Sequence, residues 1–267
     1  MDFSDRIPGI RQDDGAWRFD LAEELNGGFG GTNGGTLAGV SLHVARSLAP
    51  GRIPVGIDAR FIRGFRPGPA RVVPTTLNQG RTLTTVSVDV FTEEEKLATR
   101  GTISLVAPEA LAEVDQPVTR TRPDDLTSYD DARVWRQPPG HRTIPLIDTF
   151  SPRLMGKGDF GIATGTKIIW SDPSATAEAA CIAADISVGP PVAGALRGMP
   201  LAMPNPDITL RFTTADAVGD HLVSICRLEG VNGGLATTSL EVWSGSTLIA
   251  VGVSTTTCLK TLSLIHI

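Results

Sequence analysis

The sequence lacks several features that would place it in a specialised class of protein. Its 267 residues have a formal net charge of −5 and no basic block, which argues against nucleic acid as the main partner. No apolar run approaches the roughly 18 residues that a membrane span needs, and the polar start MDFSDRIPGI is unlike a signal peptide. Its three cysteines, Cys181, Cys226 and Cys258, are widely spaced and form no CxxC motif. We therefore expect a cytoplasmic protein with buried thiols.

Familiar catalytic and nucleotide-binding motifs are missing as well. Residues 27–35 (GGFGGTNGG) form a glycine cluster before a helix-like stretch, an arrangement that can bind phosphate. However, neither GxGxxG nor GK[ST] occurs, so a nucleotide site is not expected. GxSxG and HExxH are also missing, and the four histidines are scattered. We therefore expect neither a serine triad nor a metal, and no cofactor.

The first part of the chain predicts one strand, one helix and four further strands. The first strand covers residues 17–25, and the helix that follows has an apolar stripe with amphipathic spacing. The stripe consists of Leu37, Val40, Val44 and Leu48. Asn33 is placed as the N-cap of this helix, and Pro50-Gly51 ends it. Segments rich in Val, Ile, Thr and Phe predict strands at residues 55–65, 70–78, 82–92 and 96–107.

The same order of elements recurs after residues 108–145, a proline-rich and charged stretch that predicts a linker. A strand at residues 159–170 precedes a helix with Ser171 or Asp172 as cap and Pro173 in its first turn. Further strands are predicted at residues 207–213, 221–229, 235–243 and 248–256. We therefore predict two domains, residues 1–107 and 146–261. The last residues, 262–267 (LSLIHI), match a reading frame of a transposon sequencing adapter, so we expect a non-native tail; the alternative is a genuine apolar tail.

An internal repeat supports the two-domain prediction. Aligning SVDVFTEEEKLATRG with SLEVWSGSTLIAVG, with one residue inserted in the first, pairs Asp89 with Glu241 and Gly101 with Gly252. The same alignment pairs Phe91 with Trp243. In each copy the helix can bury its stripe across one face of an antiparallel sheet. Pairing the exposed sheet edges would join the copies, so we expect a pseudo-twofold molecule with its two helices side by side.

This pattern resembles the hotdog fold, and its tandem form resembles the double-hotdog acyl-CoA thioesterases. TNGGTLAGVSLHVARSL resembles the NGG-plus-helix segment of that family, and FIRGFRPGPARV resembles its F-x-R-x-x-x-PG hairpin. NPDITLRF and LEVWSGSTLIAVGVS resemble its aspartate-led strand and its closing hairpin. The resemblance implies an α+β tandem hotdog, with each antiparallel sheet wrapped around one central helix. It also implies hydrolysis of acyl-CoA without a cofactor, and a homodimer of double hotdogs.

The resemblance implies three catalytic positions as well. The family uses an Asp on the second-half helix, a Ser or Thr before the next strand and a Gln on the last strand. The matching residues are Asp185, Asn205 and Ser254, and the last two depart from the family pattern, which leaves catalytic competence open. Asp185 follows the apolar run 179–184, where a carboxylate needs a partner if it is buried; the alternative is a helix-end residue turned to solvent. Glu178, on the same predicted helix face, is a reserve acid or a residue that favours the helix dipole.

The substrate-binding residues are predicted at the start of the first helix. By resemblance, the free N–H groups at Asn33, Gly34 and Gly35 hold the thioester carbonyl and face Asp185 from the other half. The alternative is that these glycines allow close packing of helix and strand.

Arginines around one predicted hairpin are candidates for contacts with the phosphates of coenzyme A. They are Arg60, Arg63, Arg66 and Arg71. The alternative is ordinary surface charge. A non-catalytic acyl-CoA or lipid-binding double hotdog stays open as a second function. Hydratase chemistry is less expected, because NPDITL lacks the histidine of the D-x-N-P-x-H arrangement.

Overall fold

The chain folds as two copies of a helix and an antiparallel sheet. The computed structural model describes residues 3–114, 120–136, 143–170, 175–197, 199, 201–214 and 219–260. The helices are α1 (Phe3–Arg6), α2 (Gly34–Ser47), α3 (Leu146–Phe150) and α4 (Thr176–Ala195). The strands of the first copy are β1 (Gly9–Arg11), β2 (Trp17–Leu21), β3 (Ile53–Phe61), β4 (Gly68–Gln79), β5 (Leu83–Phe91) and β6 (Leu97–Val106). The later strands are β7 (Arg133–Val134), β8 (Arg153–Gly158), β9 (Gly161–Lys167), β10 (Leu201–Ala202), β11 (Asp207–Phe212), β12 (His221–Asn232), β13 (Leu235–Ser244), β14 (Thr247–Thr257) and β15 (Leu259–Lys260).

One 13-stranded sheet joins the two copies, in the order β1-β2-β4-β5-β6-β3-β11-β14-β13-β12-β9-β8-β7. At its centre β3 and β11 run antiparallel, with Ile208 opposite Ala59 and Leu210 opposite Ile57. A twofold rotation that exchanges β3 with β11 turns one of these pairs into the other. The register therefore defines a pseudo-twofold axis between the two strands. The predicted joining of sheet edges is therefore confirmed, and it leaves neither central strand as an exposed edge.

The register also confirms the internal repeat. Val88 lies opposite Gly101 in the first copy, and Leu240 lies opposite Gly252 in the second. These are the residues that the sequence alignment places in equivalent positions. The repeat therefore extends to the pairing of individual residues.

The two long helices lie side by side and share one apolar core. Leu37, Val40 and Val44 of the predicted stripe are buried, and the core cluster continues through α4 and the strands of both copies. A Cβ atom added at Gly39 of α2 would lie 3.2 Å from the carbonyl oxygen of Glu178 on α4. Small residues on both helices permit this close approach.

Two segments differ from the sequence-based expectation. The strand predicted at residues 159–170 is shorter, since β9 ends at Lys167, and β8 before it was not predicted. Residues 171–173, which include the predicted cap, lie outside the described residues. The helix α4 runs to Ala195 and includes Pro190 and Pro191 near its end.

Part of the predicted linker is folded onto the second copy. Tyr129 and Ala132 are buried in a second apolar cluster with Met155 and Trp243, and β7 extends the sheet. The sequence of this segment shows no helix or strand periodicity, because it contacts the sheet through single side chains and not through one face of a long helix or strand. The domain boundaries at residues 1–107 and 146–261 stay predictions, and the tail 262–267 lies outside the described residues. In the described part of the chain, no helix is both long and apolar enough to cross a membrane.

Candidate active site

The site is organised around Asp185, which lies within α4 rather than at its end. Its side chain faces the beginning of α2, and the residue is only 8% exposed. The alternative of a solvent-directed helix-end residue is therefore wrong. Burial of a carboxylate in an apolar helix needs hydrogen-bonding partners, and both copies supply them.

Both carboxylate oxygens of Asp185 accept hydrogen bonds from asparagine amides. The Nδ2 of Asn33 donates to Oδ2 at 2.5 Å. The Nδ2 of Asn205 donates to Oδ1. Asn33 also caps α2 as predicted, because its Oδ1 accepts the backbone N–H of Thr36 at 3.1 Å. The structure thus brings together the first-copy helix start and the second-copy acid.

Two flanking prolines hold Asn205 in place. The carbonyl oxygen of Pro206 accepts the N–H of Phe61 at 2.8 Å, and that of Pro204 accepts the N–H of Thr257 at 2.9 Å. Because proline fixes its own φ and restricts the preceding residue, the segment has few conformations to choose from. The amide of Asn205 is therefore presented to Asp185 from a segment anchored on both β3 and β14.

Opposing effects act on the pKa of Asp185. Burial raises the pKa, while hydrogen bonding from the Gly35 N–H, the Asn205 and Asn33 amides and the Gly34 N–H lowers it. Burial prevails, so the pKa is raised above the ordinary range of an aspartate. A carboxyl group with a raised pKa is a better proton acceptor once ionised, which suits a general base.

The glycines at the start of α2 have a packing role. A Cβ atom at Gly35 would lie 2.5 Å from the carbonyl oxygen of Cys181, and one at Gly34 would lie 2.5 Å from Cε2 of Phe61. A larger residue at Gly35 requires α2 and α4 to separate, and a larger residue at Gly34 requires the ring of Phe61 to move. The same absence of side chains brings the backbone N–H groups of Gly34 and Gly35 close to the Asp185 carboxylate. Close packing and access to the N–H groups thus follow from one feature.

The structure does not bring the hydroxyl of Ser254 to Asp185. Ser254 lies on β14 and is buried, and its Oγ donates to the carbonyl oxygen of Asp207 at 2.7 Å. The neighbouring N–H of Thr255 donates to Oδ1 of Asp207 at 2.8 Å. In the described structure Ser254 therefore fastens β14 to the start of β11, and its catalytic role stays a prediction.

Two of the predicted arginines, Arg60 and Arg63, bond to groups other than the carboxylate of Asp185. Arg60 alternates along β3 with Ala59 and Phe61, whose side chains face the helices, so Arg60 points to the opposite face. It forms an ion pair with Asp207. Arg63 donates through Nε to the carbonyl oxygen of Leu97 at 2.7 Å. Arg66 is exposed, and the prediction that these arginines bind phosphate is not tested by their positions.

Glu178, the reserve acid, has a different environment from Asp185. It is 0% exposed and forms an ion pair with Arg46 of α2 at 2.8 Å. The pair joins the beginning of α4 to the end of α2, whereas Asp185 meets the beginning of α2. The sequence analysis did not identify this pair, because its two residues are distant in the chain and only the helix packing brings them together.

Among the described residues, the pseudo-twofold counterpart of this site at the beginning of α4 does not repeat the polar arrangement. By the repeat, Ile103 takes the position of Ser254, since each lies two residues after an equivalent glycine. Near the beginning of α4, Phe3 of α1 fills the space between His43 and Trp170, with ring centroids 4.7 Å and 5.0 Å away. Phe3 is 1% exposed. The described residues contain no group of three or more His, Cys, Asp or Glu side chains that could hold a metal ion.

Comparisons with known proteins agree with this architecture. Residues 22–106 match the family model of the acyl-CoA thioesterase N-terminal domain. No curated protein matches the chain. A protein with a hot dog fold from Alicyclobacillus acidocaldarius is 18% identical, with a TM-score of 0.76 over 96% of this chain and 97% of that one.

Two mycobacterial structures are similar over the same extent. The TesB protein of Mycobacterium avium subspecies paratuberculosis is 17% identical, with a TM-score of 0.72 over 94% of this chain and 96% of that one. An acyl-CoA thioesterase II of Mycobacterium marinum is 15% identical, with a TM-score of 0.71 over 95% of each chain. These likenesses confirm the predicted α+β double-hotdog fold. The family match confirms the resemblance to acyl-CoA thioesterases over residues 22–106.

Proposed function

We propose that this protein hydrolyses acyl-CoA to a free fatty acid and CoA. The premise is that residues 22–106 match the acyl-CoA thioesterase N-terminal domain within a double hotdog. One observation is the main support for a site at the interface of the two copies. It is the buried carboxylate of Asp185, which the second copy places against the helix start of the first copy. A base and a set of backbone N–H donors are the two requirements of thioester hydrolysis.

In the proposed mechanism Asp185 acts as the general base. Its carboxylate accepts a proton from water, and the water oxygen attacks the thioester carbonyl carbon. The carbonyl oxygen becomes an oxyanion. It accepts hydrogen bonds from the N–H groups of Gly34 and Gly35, which are released from Asp185 as that carboxylate takes up the proton and loses its charge. The C–S bond then breaks, and the thiolate of CoA takes the proton from Asp185. The products are a carboxylic acid and a thiol, and the carboxylate is regenerated.

The two asparagines have supporting roles in this proposal. Asn205 donates to one oxygen of Asp185 and lies where the family has a hydroxyl residue, so it can orient the carboxylate or bind the attacking water. An amide can donate and accept hydrogen bonds, which preserves part of the chemistry of a hydroxyl group. Ser254 is proposed to act indirectly, by fixing the strand that follows Asn205.

A thiol-release assay on acyl-CoAs of varied chain length tests the proposal. Asp185→Asn should reduce kcat by at least about 100-fold, within the usual range for loss of a general base. Asp89→Asn is the matched control, because Asp89 pairs with the exposed Arg100 on β6, away from the helix interface. Equal release by wild type and Asp185→Asn would remove Asp185 from the mechanism.

A non-catalytic acyl-CoA or lipid-binding protein is the second candidate. The observation in its favour is that both oxygens of Asp185 already accept amide hydrogen bonds, while the Ser254 hydroxyl is bonded to Asp207. A water molecule must therefore compete for the carboxylate. Calorimetric binding of acyl-CoA without thiol release at any chain length would support this function instead.

Three further features belong to the same proposal. Arg60, Arg63 and Arg66 contact the phosphates of coenzyme A, the protein acts in the cytoplasm, and two double hotdogs form a homodimer. Substitution of each arginine by Gln should raise KM without changing kcat if it contacts the phosphates. Analytical ultracentrifugation tests the dimer.

A further inference from the structure

We propose that Asn33 is a positioning residue for Asp185, and not only the cap of α2 or a substrate-binding group. One side chain makes both connections: its Oδ1 accepts the N–H of Thr36, and its Nδ2 donates to Oδ2 of Asp185. The cap fixes the amide plane, and the plane fixes where the N–H of the amide points. The carboxylate of the second copy is therefore aligned by the helix start of the first.

The requirement for an amide distinguishes this role from capping. Ser and Asp cap helices about as well as Asn, because each offers a side-chain oxygen to the N–H groups of the first turn. Ionised Asp has no hydrogen to donate, and the single hydroxyl oxygen of Ser, one bond closer to the backbone, cannot fill both the oxygen and the nitrogen positions of the Asn amide. A residue that only caps could be any of the three. Of the three, only Asn has both an oxygen to cap α2 and an N–H group to donate to Asp185 at 2.5 Å.

The burial of this contact makes the donor effective. Asn33 is 9% exposed and Asp185 is 8% exposed, so water competes poorly for either group. A hydrogen bond to an ionised carboxylate is among the stronger ones, and low exposure strengthens it further. Loss of the Asn33 donor should therefore destabilise the ionised form of Asp185 and raise its pKa.

Other ionisable groups lie on the elements packed around Asp185. They are Cys181 and Glu178 on α4, His43 and Arg46 on α2, Arg60 on β3, Asp207 on β11, and Asp58 and Arg211, which join β3 to β11 as an ion pair. Burial, followed by the charges of Glu178 and Asp185, raises the pKa of Cys181 well above its usual value, which keeps the thiol neutral. Glu178 pairs with Arg46, and Asp207 pairs with Arg60. His43 stacks on Phe3 at the other end of α2. Substitution of Asn33 leaves all these pairs in place.

The inference rests on the proposed function for its kinetic consequence, but it has a readout that needs no turnover. The carboxyl carbon of Asp185 can be titrated by NMR in the full chain, with Asp185→Asn used to assign the signal. Asn33→Ser keeps the cap and removes the donor, so the pKa should rise by about one pH unit. Asn33→Asp keeps the shape and the cap but places a second carboxylate beside the first, so the rise should be larger.

Kinetics and stability complete the test. The acidic limb of the kcat profile for thiol release should move to higher pH in Asn33→Ser. Below that limb, where Asp185 is protonated in both proteins, the melting temperature should stay near that of wild type, and above it the variant should melt at a lower temperature. Asn33→Ala, which lacks both cap and donor, should show the same shift of the limb together with a lower melting temperature.

The results that overturn the inference are distinct from those that overturn the thioesterase function. An unchanged Asp185 titration in Asn33→Ser and Asn33→Asp would reduce Asn33 to a cap. Should Asn33→Ser fail to fold, the isosteric Asn33→Asp decides the question alone. If wild type releases no thiol, the thioesterase proposal fails, while the NMR titration still confirms or rejects the coupling of Asn33 to Asp185.

Discussion

Gly35 and Asp185 approach so closely that a Cβ atom added at Gly35 would lie 2.7 Å from the Cβ of Asp185. The first residue belongs to α2 of the first copy and the second to α4 of the second. The contact joins two features that the sequence presents separately, a glycine cluster and a lone acid. The distance between the helices and the position of the acid are therefore set by one small residue.

Gly35→Ala tests this close approach. The added methyl group would also lie 2.5 Å from the carbonyl oxygen of Cys181, so the helices must move apart. Overpacking of this kind costs about 1–3 kcal/mol of the free energy of unfolding. Thiol release should fall as well, because Asp185 moves away from the helix start. Urea unfolding and the thiol assay measure the two effects.

Gly64→Ala is the matched control for that substitution. A Cβ atom at Gly64 meets nothing within 4 Å, so the control should unfold and turn over like wild type. If Gly35→Ala matched Gly64→Ala in both measurements, the helix contact would not be as tight as described.

The raised pKa of Asp185 predicts a pH dependence of stability. Between the unfolded pKa, about 3.9, and the higher folded pKa, the native state binds more protons than the unfolded state. Stability from this group is therefore greatest at low pH and falls as pH rises through that window. Asp185→Asn cannot titrate, so its free energy of unfolding relative to wild type should increase by about 1.4 kcal/mol for each pH unit of the elevation.

Urea unfolding of wild type and Asp185→Asn at a series of pH values measures this difference, and the other ionisable groups cancel between the two proteins. A difference that decreases with rising pH would mean that the amide donors outweigh burial, and that the folded pKa lies below the ordinary value.

In a double-mutant cycle on the ion pair of Glu178 and Arg46, we expect the two single substitutions to reduce the free energy of unfolding by different amounts. Glu178 is 0% exposed, so Arg46→Met should cost about 3–5 kcal/mol by leaving its charge buried without this partner. Glu178→Gln on its own should cost less, because a neutral amide is easier to bury. The double variant should regain part of the loss caused by Arg46→Met.

The same variants address the reserve acid. Glu178→Gln should keep kcat near the wild-type value, since Glu178 meets the end of α2 rather than its beginning. A loss of kcat in Glu178→Gln equal to that in Asp185→Asn, with the fold intact, would assign the base to Glu178 instead.

The packing of Phe3 predicts that α1 stabilises the fold. Phe3 stacks on His43 and meets the edge of Trp170, and Phe→Ala substitutions in such positions cost about 3–5 kcal/mol. Phe3→Ala should therefore lower the melting temperature, while kcat well below that temperature stays unchanged because Asp185 lies elsewhere. Phe29→Ala is the control for stability, since Phe29 is 57% exposed. Equal melting of the two variants would show that α1 contributes little.

Much of the fold could be predicted because the relevant signals are local. Alternating apolar residues predicted the strands of both copies, and the spacing from Leu37 to Leu48 predicted α2. Asn33 was predicted as a cap, since capping depends on the residue and the three that follow it. The repeat of Gly101 and Gly252 predicted the duplication. The boundaries of β9 were less well predicted, because strand ends depend on neighbouring strands.

The site was predicted only in part, because its contacts join distant segments. Asp185 was identified by its apolar surroundings and by resemblance, and the resemblance also implied that Asp185 faces the beginning of α2. Three contacts were not predicted. They are the hydrogen bond from the Asn33 amide to Asp185, the hydrogen bond from Ser254 to Asp207, and the packing of Phe3 between His43 and Trp170. Each depends on the side-chain direction and distance that packing creates.

The sequence by itself determined the duplicated order of elements, since hydrophobic periodicity and capping act within a few residues of the chain. Only the tertiary structure decided which partners the buried acid has. Helix packing favours glycine at residue 35, because an added Cβ atom there would lie 2.5 to 2.7 Å from atoms of α4, and the same packing selects which amides reach Asp185. Such selection arises from the simultaneous close packing of both copies, which no local pattern in the chain records.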